Sequence, residues 1–222
     1  MLKRIWVYSA SLVVTLLLGN APAMAEIWKV ASLNWPPYTD ARMTNEGNLV
    51  QKLRTLLQPH RIELQVEFYP WKRAIVLAEQ PDFIGYFPAW LSEINEGYVA
   101  SPPVDYSELA AVTVPGKRVE FHGLDDLFSN HTVGIVSAYQ YPPFIERVAE
   151  NHPDNVTEAV SEVLLLKMLN AERFEVAISD PTVMMYLSEK YAMPPVEVSK
   201  SLGLAPLLLR FATNPITVNA SA

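Results

Sequence analysis

Residues 69–90 read YPWKRAIVLAEQPDFIGYFPAW, a stretch that holds a strand end, a helix, a second strand and an aromatic loop in one unit. Pro70 has no N–H to give a ladder and holds Tyr69 extended, so it closes the preceding strand. A helix starts at Trp71, with Ala74, Ile75, Leu77 and Ala78 on its apolar face and Lys72, Arg73 and Glu79 toward its mouth or solvent. Pro81 and Asp82 end it. Phe83 to Phe87 is an almost wholly apolar run around Gly85, the pattern of a strand covered on both faces in a parallel sheet. Ligands of open α/β sheets collect beyond the carboxyl ends of the strands, and Tyr86, Pro88 and Trp90 fall at that edge. The unit reads as a wall of a small-molecule site; the competing reading makes Trp71, Tyr86 and Trp90 core aromatics, because large rings are mostly buried.

Upstream, Ile62 to Phe68 alternates apolar and polar residues as a strand does, and Leu49 to Leu57 has helical spacing. Glu26 to Ser32 is an earlier strand, followed by the stiff loop Asn34-Trp35-Pro36-Pro37-Tyr38. Trp35 and Tyr38 either present flat faces to a ligand or, for Trp35, cap the sheet. The first third is therefore β-α-β-α-β, the alternation of a parallel sheet flanked by helices.

Residues 1–25 read as a targeting segment, with Lys3 and Arg4, an apolar stretch from Ile5 to Leu18, and a small-x-small cleavage site at Ala23-Met24-Ala25. The apolar stretch falls short of the ~20 residues of a spanning helix. Cleavage after Ala25 leaves a mature chain beginning at Glu26. Without Lys3 and Arg4 the formal charge moves from −7 to −9, which argues against nucleic acid and anionic membrane as partners. Cysteine is absent, so the chain has no disulfide framework, thiolate metal site or lipid-modified cysteine tether. A freely diffusing periplasmic monomer without stable membrane insertion is expected.

Downstream of Trp90 the chain turns polar, then runs through Ser101-Pro102-Pro103 to a β-branched strand from Leu109 to Val114, read as the crossing to a second lobe. Leu124 to Phe128 is a short helix or turn, Thr132 to Val136 a buried strand, and Phe144 to Glu150 an amphipathic helix. Backbone N–H groups between that strand and that helix are placed to hold an anion. Asn155 and Glu158 have capping-box spacing ahead of an apolar helix from Val160 to Leu169. Phe174 to Ile178 is another buried strand, ending on Ser179-Asp180-Pro181 before a helix from Thr182 to Tyr191, and Leu207 to Thr213 is a last strand returning to the first lobe.

In this order the landmarks Asn34 to Tyr38, Pro70 to Ala74, Asp82 to Tyr86, Ser101-Pro102-Pro103, Gly134-Ile135-Val136 and Ala177 to Asp180 resemble the type 2 periplasmic solute-binding proteins. The resemblance is in particular to the family of extracellular receptors for polar amino acids that feed ABC transporters, and it runs from Glu26 to about Asn214. It implies two α/β lobes, each a mostly parallel sheet flanked by helices, joined by a two-strand hinge and closing as a clamshell. Residues 26–113 form the first part of lobe 1, 114–200 lobe 2, and 201–222 the return strand, with the family's terminal helix missing. That shortness leaves apolar surface near Leu204 to Phe211 less covered, inviting a protein partner.

The resemblance places Asp180 where the family holds a ligand's α-amino group; the other reading of Asp180 is a helix N-cap. Tyr38, Trp71 and Tyr86 lie where the family's aromatic wall stands. The arginine that clamps the α-carboxylate is replaced by Ile94, between Glu93 and Asn95, and the usual Gly-Thr after the second lobe's first strand is Ala138-Tyr139. Without that arginine the ligand loses charge-assisted bonds worth roughly 1.5 to 3 kcal/mol each, unless Arg73 replaces it. Arg73 otherwise pairs with Glu93 or lies in solvent.

The four histidines are scattered, and no Walker, Gly-x-Gly-x-x-Gly or Gly-x-Ser-x-Gly sequence is present. Neither catalysis nor a cofactor or metal is expected. The expected function is a receptor that traps a small polar solute, amino-acid-like but not a standard α-amino acid. Trp35, Tyr38, Trp71, Arg73 and Tyr86 would line one side and Ser137, Tyr139 and Asp180 the other. The partner is an ABC permease or a membrane sensor. The alternatives are a dehydratase-like relative using Asp180 or Glu93, and a reduced member that binds a protein.

Overall fold

The computed structural model describes residues 25–212. The expected targeting segment, except its last residue Ala25, and the expected shortness beyond Asn214 lie outside the described residues.

The first third forms as its periodicity dictates. Strand β1 (Glu26–Ser32) pairs in parallel with β2 (Ile62–Phe68) and with β3 (Gly85–Ala89), across helices α1 (Asn48–Leu57) and α2 (Trp71–Leu77). Helix α1 buries Leu49, Val50, Leu53 and Leu57, the stripe its spacing announces. Strand β3 starts two residues later than the apolar run does: the Phe83 N–H bonds to the Gln80 carbonyl in the turn that enters it, and the Ile84 N–H already reaches the Lys29 carbonyl of β1. Gly85 is required where it stands: its φ is +155°, and a Cβ there would lie 1.8 Å from the Arg210 carbonyl oxygen. Pro88 has no N–H, and the β3 register shifts around it between Tyr86 and Ala89.

Strands β4 (Val99–Ala100) and β5 (Asp105–Thr113) follow. The rest of the chain supplies α3 (Leu124–Asn130), β6 (Val133–Val136), α4 (Pro143–Asn151), β7 (Val156–Ala159), α5 (Glu162–Asn170), β8 (Val176–Ser179), α6 (Pro181–Lys190) and β9 (Glu197–Phe211). The strand order is β2-β1-β3-β9-β5-β8-β6-β7, with β4 on β9. Strands β6, β7 and β8 are parallel. Strands β5 and β9 run antiparallel from Asp105 opposite Leu207 to Thr113 opposite Glu197. Their one end joins β3 and the other joins β8, so this ribbon is the two-strand connection between the two groups of strands.

Three expectations change. The last strand begins at Glu197, not Leu207: its first half is exposed on the ribbon and carries no apolar signal, while Ala205, Leu207, Leu208 and Leu209 are buried. For the same reason the segment from Leu204 to Phe211 is not an open apolar surface, since only Leu204 is strongly exposed and the rest packs between β3, β4 and β5. The third change is at Asn155 and Glu158, which make no capping box. Val156–Ala159 is drawn into the sheet as β7, and Ser161 caps α5 by accepting the Leu164 N–H at 3.3 Å.

In β6, Gly134 faces the buried ring of Phe174, and an added Cβ would approach its atoms to 2.3–2.6 Å. Gly134→Ala is expected to destabilise by about 2 kcal/mol through overpacking, most of it recovered in the Gly134→Ala, Phe174→Leu double variant. Urea unfolding of the four proteins checks this; a fully additive cycle would refute the clash.

Candidate functional site

The loop after β1, the end of β2 and the start of α2 face the loop after β6, the first turn of α5 and the side of α6 from Val183 to Lys190 across a cavity of about 330 Å³. Trp35, Tyr69, Trp71 and Tyr139 give it flat walls, and Asp40, Arg42, Glu162 and Lys190 give it charge. The cavity is closed by contacts between the two sides. Lys190 Nζ lies 3.0 Å from Asp40 Oδ2, Tyr38 Oη donates to Asp180 Oδ2 at 3.0 Å, and Ser92 Oγ donates to the Gln140 carbonyl at 2.6 Å. Asp40 is buried, and Arg42 also contacts it at 3.5 Å.

Beside this cavity, sharing Trp35, Trp71 and Tyr139 with it, is a smaller one of about 20 Å³, bounded also by Trp90 and Glu93. Its rings brace one another. Trp90 meets Tyr139 edge-on at 5.3 Å and Trp35 at 6.2 Å, while Trp35 stacks on Tyr38 at 4.7 Å. A one-turn helix, Leu91–Glu93, folds Glu93 back under Trp90. There Glu93 Oε1 accepts the Trp71 indole N–H at 2.9 Å and Oε2 accepts the Trp90 backbone N–H at 2.8 Å. Burial pushes the Glu93 carboxyl up to about 7, against the opposing pull of those two donors and of Arg210.

On the opposite side Glu162 is the first residue of α5 and accepts the Ser179 hydroxyl at 2.8 Å. Burial again pushes it up to about 7, with Asp180 adding negative charge and Ser179, Trp35 and Tyr139 favouring the ionised form. The Trp35 indole N–H is buried with no partner in ordinary hydrogen-bond geometry among the described residues, although it lies near enough to Glu162 to act on it. Burial and Glu162 together hold the Tyr139 hydroxyl well above its ordinary range.

The residues singled out from sequence separate into two groups. Trp35, Trp71 and Tyr139 line the cavity between the lobes. Asp180 does not; it is the α6 N-cap, its Oδ1 accepting the Thr182 and Val183 N–H groups at 2.7 and 3.2 Å. Its Oδ2 accepts the Tyr38 and Ser107 hydroxyls, at 3.0 and 2.7 Å. Both oxygens are engaged and the residue is 1% exposed, so the capping reading replaces the ammonium-binding one. Tyr38 is spent on that same bond, behind Trp35. Tyr86 stands behind Trp71, its ring edge-on at 5.1 Å and its hydroxyl donating to the Glu93 carbonyl at 3.0 Å. Arg73 is exposed on α2 with its guanidinium over Tyr69 at 5.4 Å, because Trp71 takes the inward position of that turn; it neither pairs with Glu93 nor lines the cavity. Ser137 opens onto a different cleft, beside α4.

Sequence reasoning missed Glu162 as a cavity residue and named Glu93 only as a cleft carboxylate of the dehydratase-like alternative. Glu93 carried a local signal, three residues after Trp90 as a carboxylate that returns to its own turn, whereas Glu162 had only its place next to a helix cap. Among the described residues no group of three or more His, Asp or Glu could hold a metal ion, and no helix is long and apolar enough to cross a membrane.

No family model matches the chain, and no curated protein matches it. Solved structures do. The GluR0 ligand-binding core in complex with L-glutamate superposes with a TM-score of 0.68 at 17% identity, covering 87% of each chain. A histidine kinase sensor domain with similarity to periplasmic binding proteins gives 0.69 at 14% identity, over 87% of this chain and 85% of that one. An ancestral arginine-binding protein bound to arginine gives 0.66 at 14% identity, over 86% and 87%. The chain has the two-lobed fold of the periplasmic binding proteins.

Proposed function

We propose that this protein is an exported solute-binding domain whose lobes, residues 26–113 with the end of β9 and residues 114–200, close over one small molecule. The observation that carries this reading is the 330 Å³ cavity walled by Trp35 and Trp71 from one lobe and Tyr139 from the other, with the lobes latched by the Lys190–Asp40 pair. A site assembled from two bodies is occupied fully only when they meet, so ligand affinity and closure are linked. The fold it shares with amino-acid-binding proteins and sensor domains supports this reading, and it supports a periplasmic location with an ABC permease or a membrane sensor as partner. Binding rather than turnover is favoured because each buried cleft carboxylate is held by structural donors, Glu93 by Trp71 and Trp90, Glu162 by Ser179 and Asp40 by Lys190 and Arg42.

A thermal-shift screen of small metabolites on the purified protein, followed by calorimetry, tests it. One solute class is expected to bind saturably and to be recovered unaltered, and Trp71→Leu is expected to weaken it at least tenfold while circular dichroism stays unchanged. Turnover of the solute, or an affinity indifferent to Trp71, would overturn the reading.

A further inference from the structure

The small cavity has a composition unlike the rest of the cleft. Three indoles, Trp35, Trp71 and Trp90, the phenol of Tyr139 and four aliphatic residues line a space wide enough for about one water-sized group, and the charged side chain in that lining is Glu93, 4% exposed. Each carboxylate oxygen of Glu93 accepts a single hydrogen bond, which leaves lone pairs unused on both. Ring faces and a buried carboxylate both attract positive charge, and both act more strongly where water is excluded.

The rest of the cleft is poor in what an anion needs. Among the described residues lining the larger cavity, the cations Lys190 and Arg42 both contact Asp40, and Glu162 adds a second acid. Arg210, the cation nearest Glu93, is buried behind it, stacked on Tyr98 at 3.3 Å and paired with Glu79 at 2.7 Å. A ligand carboxylate therefore meets no unpaired cation in the cleft, while a ligand ammonium meets a ready partner.

Resting on the solute-binding reading of the cleft, we propose that the ligand is a compact organic ammonium ion without an α-carboxylate. Its cationic head enters the ring of Trp35, Trp71, Trp90 and Tyr139 against Glu93, and its body lies in the larger cavity. The space against Glu93 admits a primary ammonium and excludes a trimethylammonium head.

Calorimetry with 1-aminobutane, 1,4-diaminobutane, choline, L-glutamate and 1-butanol tests the class. The two primary amines are expected to bind at least tenfold more tightly than the other three, and Glu93→Gln to remove the preference of 1-aminobutane over 1-butanol. If Glu93→Gln does not fold, Glu162→Gln decides: with the other raised carboxyl of the cleft removed, amine affinity should still rise about tenfold from pH 6 to pH 8, as Glu93 ionises. Glutamate binding tighter than the amines, or amine affinity flat with pH, overturns the ammonium assignment and leaves the solute-binding reading standing. If none of these compounds nor any member of the metabolite library binds, both fall together.

Discussion

Asp180→Ala is expected to lower the unfolding free energy by roughly 4 kcal/mol, well beyond an ordinary point substitution. The carboxylate accepts four hydrogen bonds while almost wholly buried. Removing it exposes two N–H groups at the start of α6, a loss of about 1 kcal/mol for a typical N-cap. It also strands the Tyr38 and Ser107 hydroxyls in the interior, each costing about 1–3 kcal/mol when left unpaired. Asp180→Asn keeps a carbonyl oxygen for the cap and an amide that both hydroxyls can accept from, so it should cost less than half as much. Urea unfolding of the two variants checks the pair. A loss below 1 kcal/mol for Asp180→Ala would return Asp180 to the list of candidate ligand contacts.

The second large effect is on stability as a function of pH. Glu93 and Glu162 are both raised by burial from an ordinary value of 4.5 to about 7 in the folded chain. Between those two values the folded protein holds protons that the unfolded chain has released, so raising the pH through this window favours unfolding. Stability is expected to be highest below about pH 4.5 as far as these two groups decide it, to fall up to about pH 7, and to level off above. Each group contributes at most roughly 3 kcal/mol to that fall, and their closeness to the same Tyr139 makes the two contributions non-additive. Glu162→Gln keeps an acceptor for Ser179 and removes one titration, so it should flatten the slope and leave the protein more stable than the parent at pH 7.5. Denaturation at pH 5, 6, 7 and 8 measures this. A parent curve that rises with pH across the window, or a Glu162→Gln curve parallel to it, would show that burial does not govern these carboxyls.

Both expectations involve residues whose part was hidden or misread in the sequence. Asp180 follows a buried strand and precedes a proline, and those neighbours admit both the ammonium-binding and the capping reading. The choice between them lay with Ser107 and Tyr38, which are 73 and 142 residues away in the chain. Arg73 shows the same limit on a shorter scale: it is two residues from Trp71, yet the helix rotates it into solvent. Asn155 and Glu158 have the spacing of a helix start, yet the segment between them pairs in parallel with β6 as strand β7, a partner that local spacing does not announce.

What the sequence determined by itself is the alternation of strands and helices, the burial of the apolar stripes, and aromatic stretches at the ends of β1, β2 and β3 that offered Trp35 and Trp71 as candidate walls. These follow from periodicity and from proline, which act over a few residues and are written in consecutive positions. The tertiary structure decided which polar groups face the cleft. A carboxylate's role depends on the donors that reach it, and those come from segments the folded chain brings together, so Glu93 became part of a cage and Asp180 part of a cap.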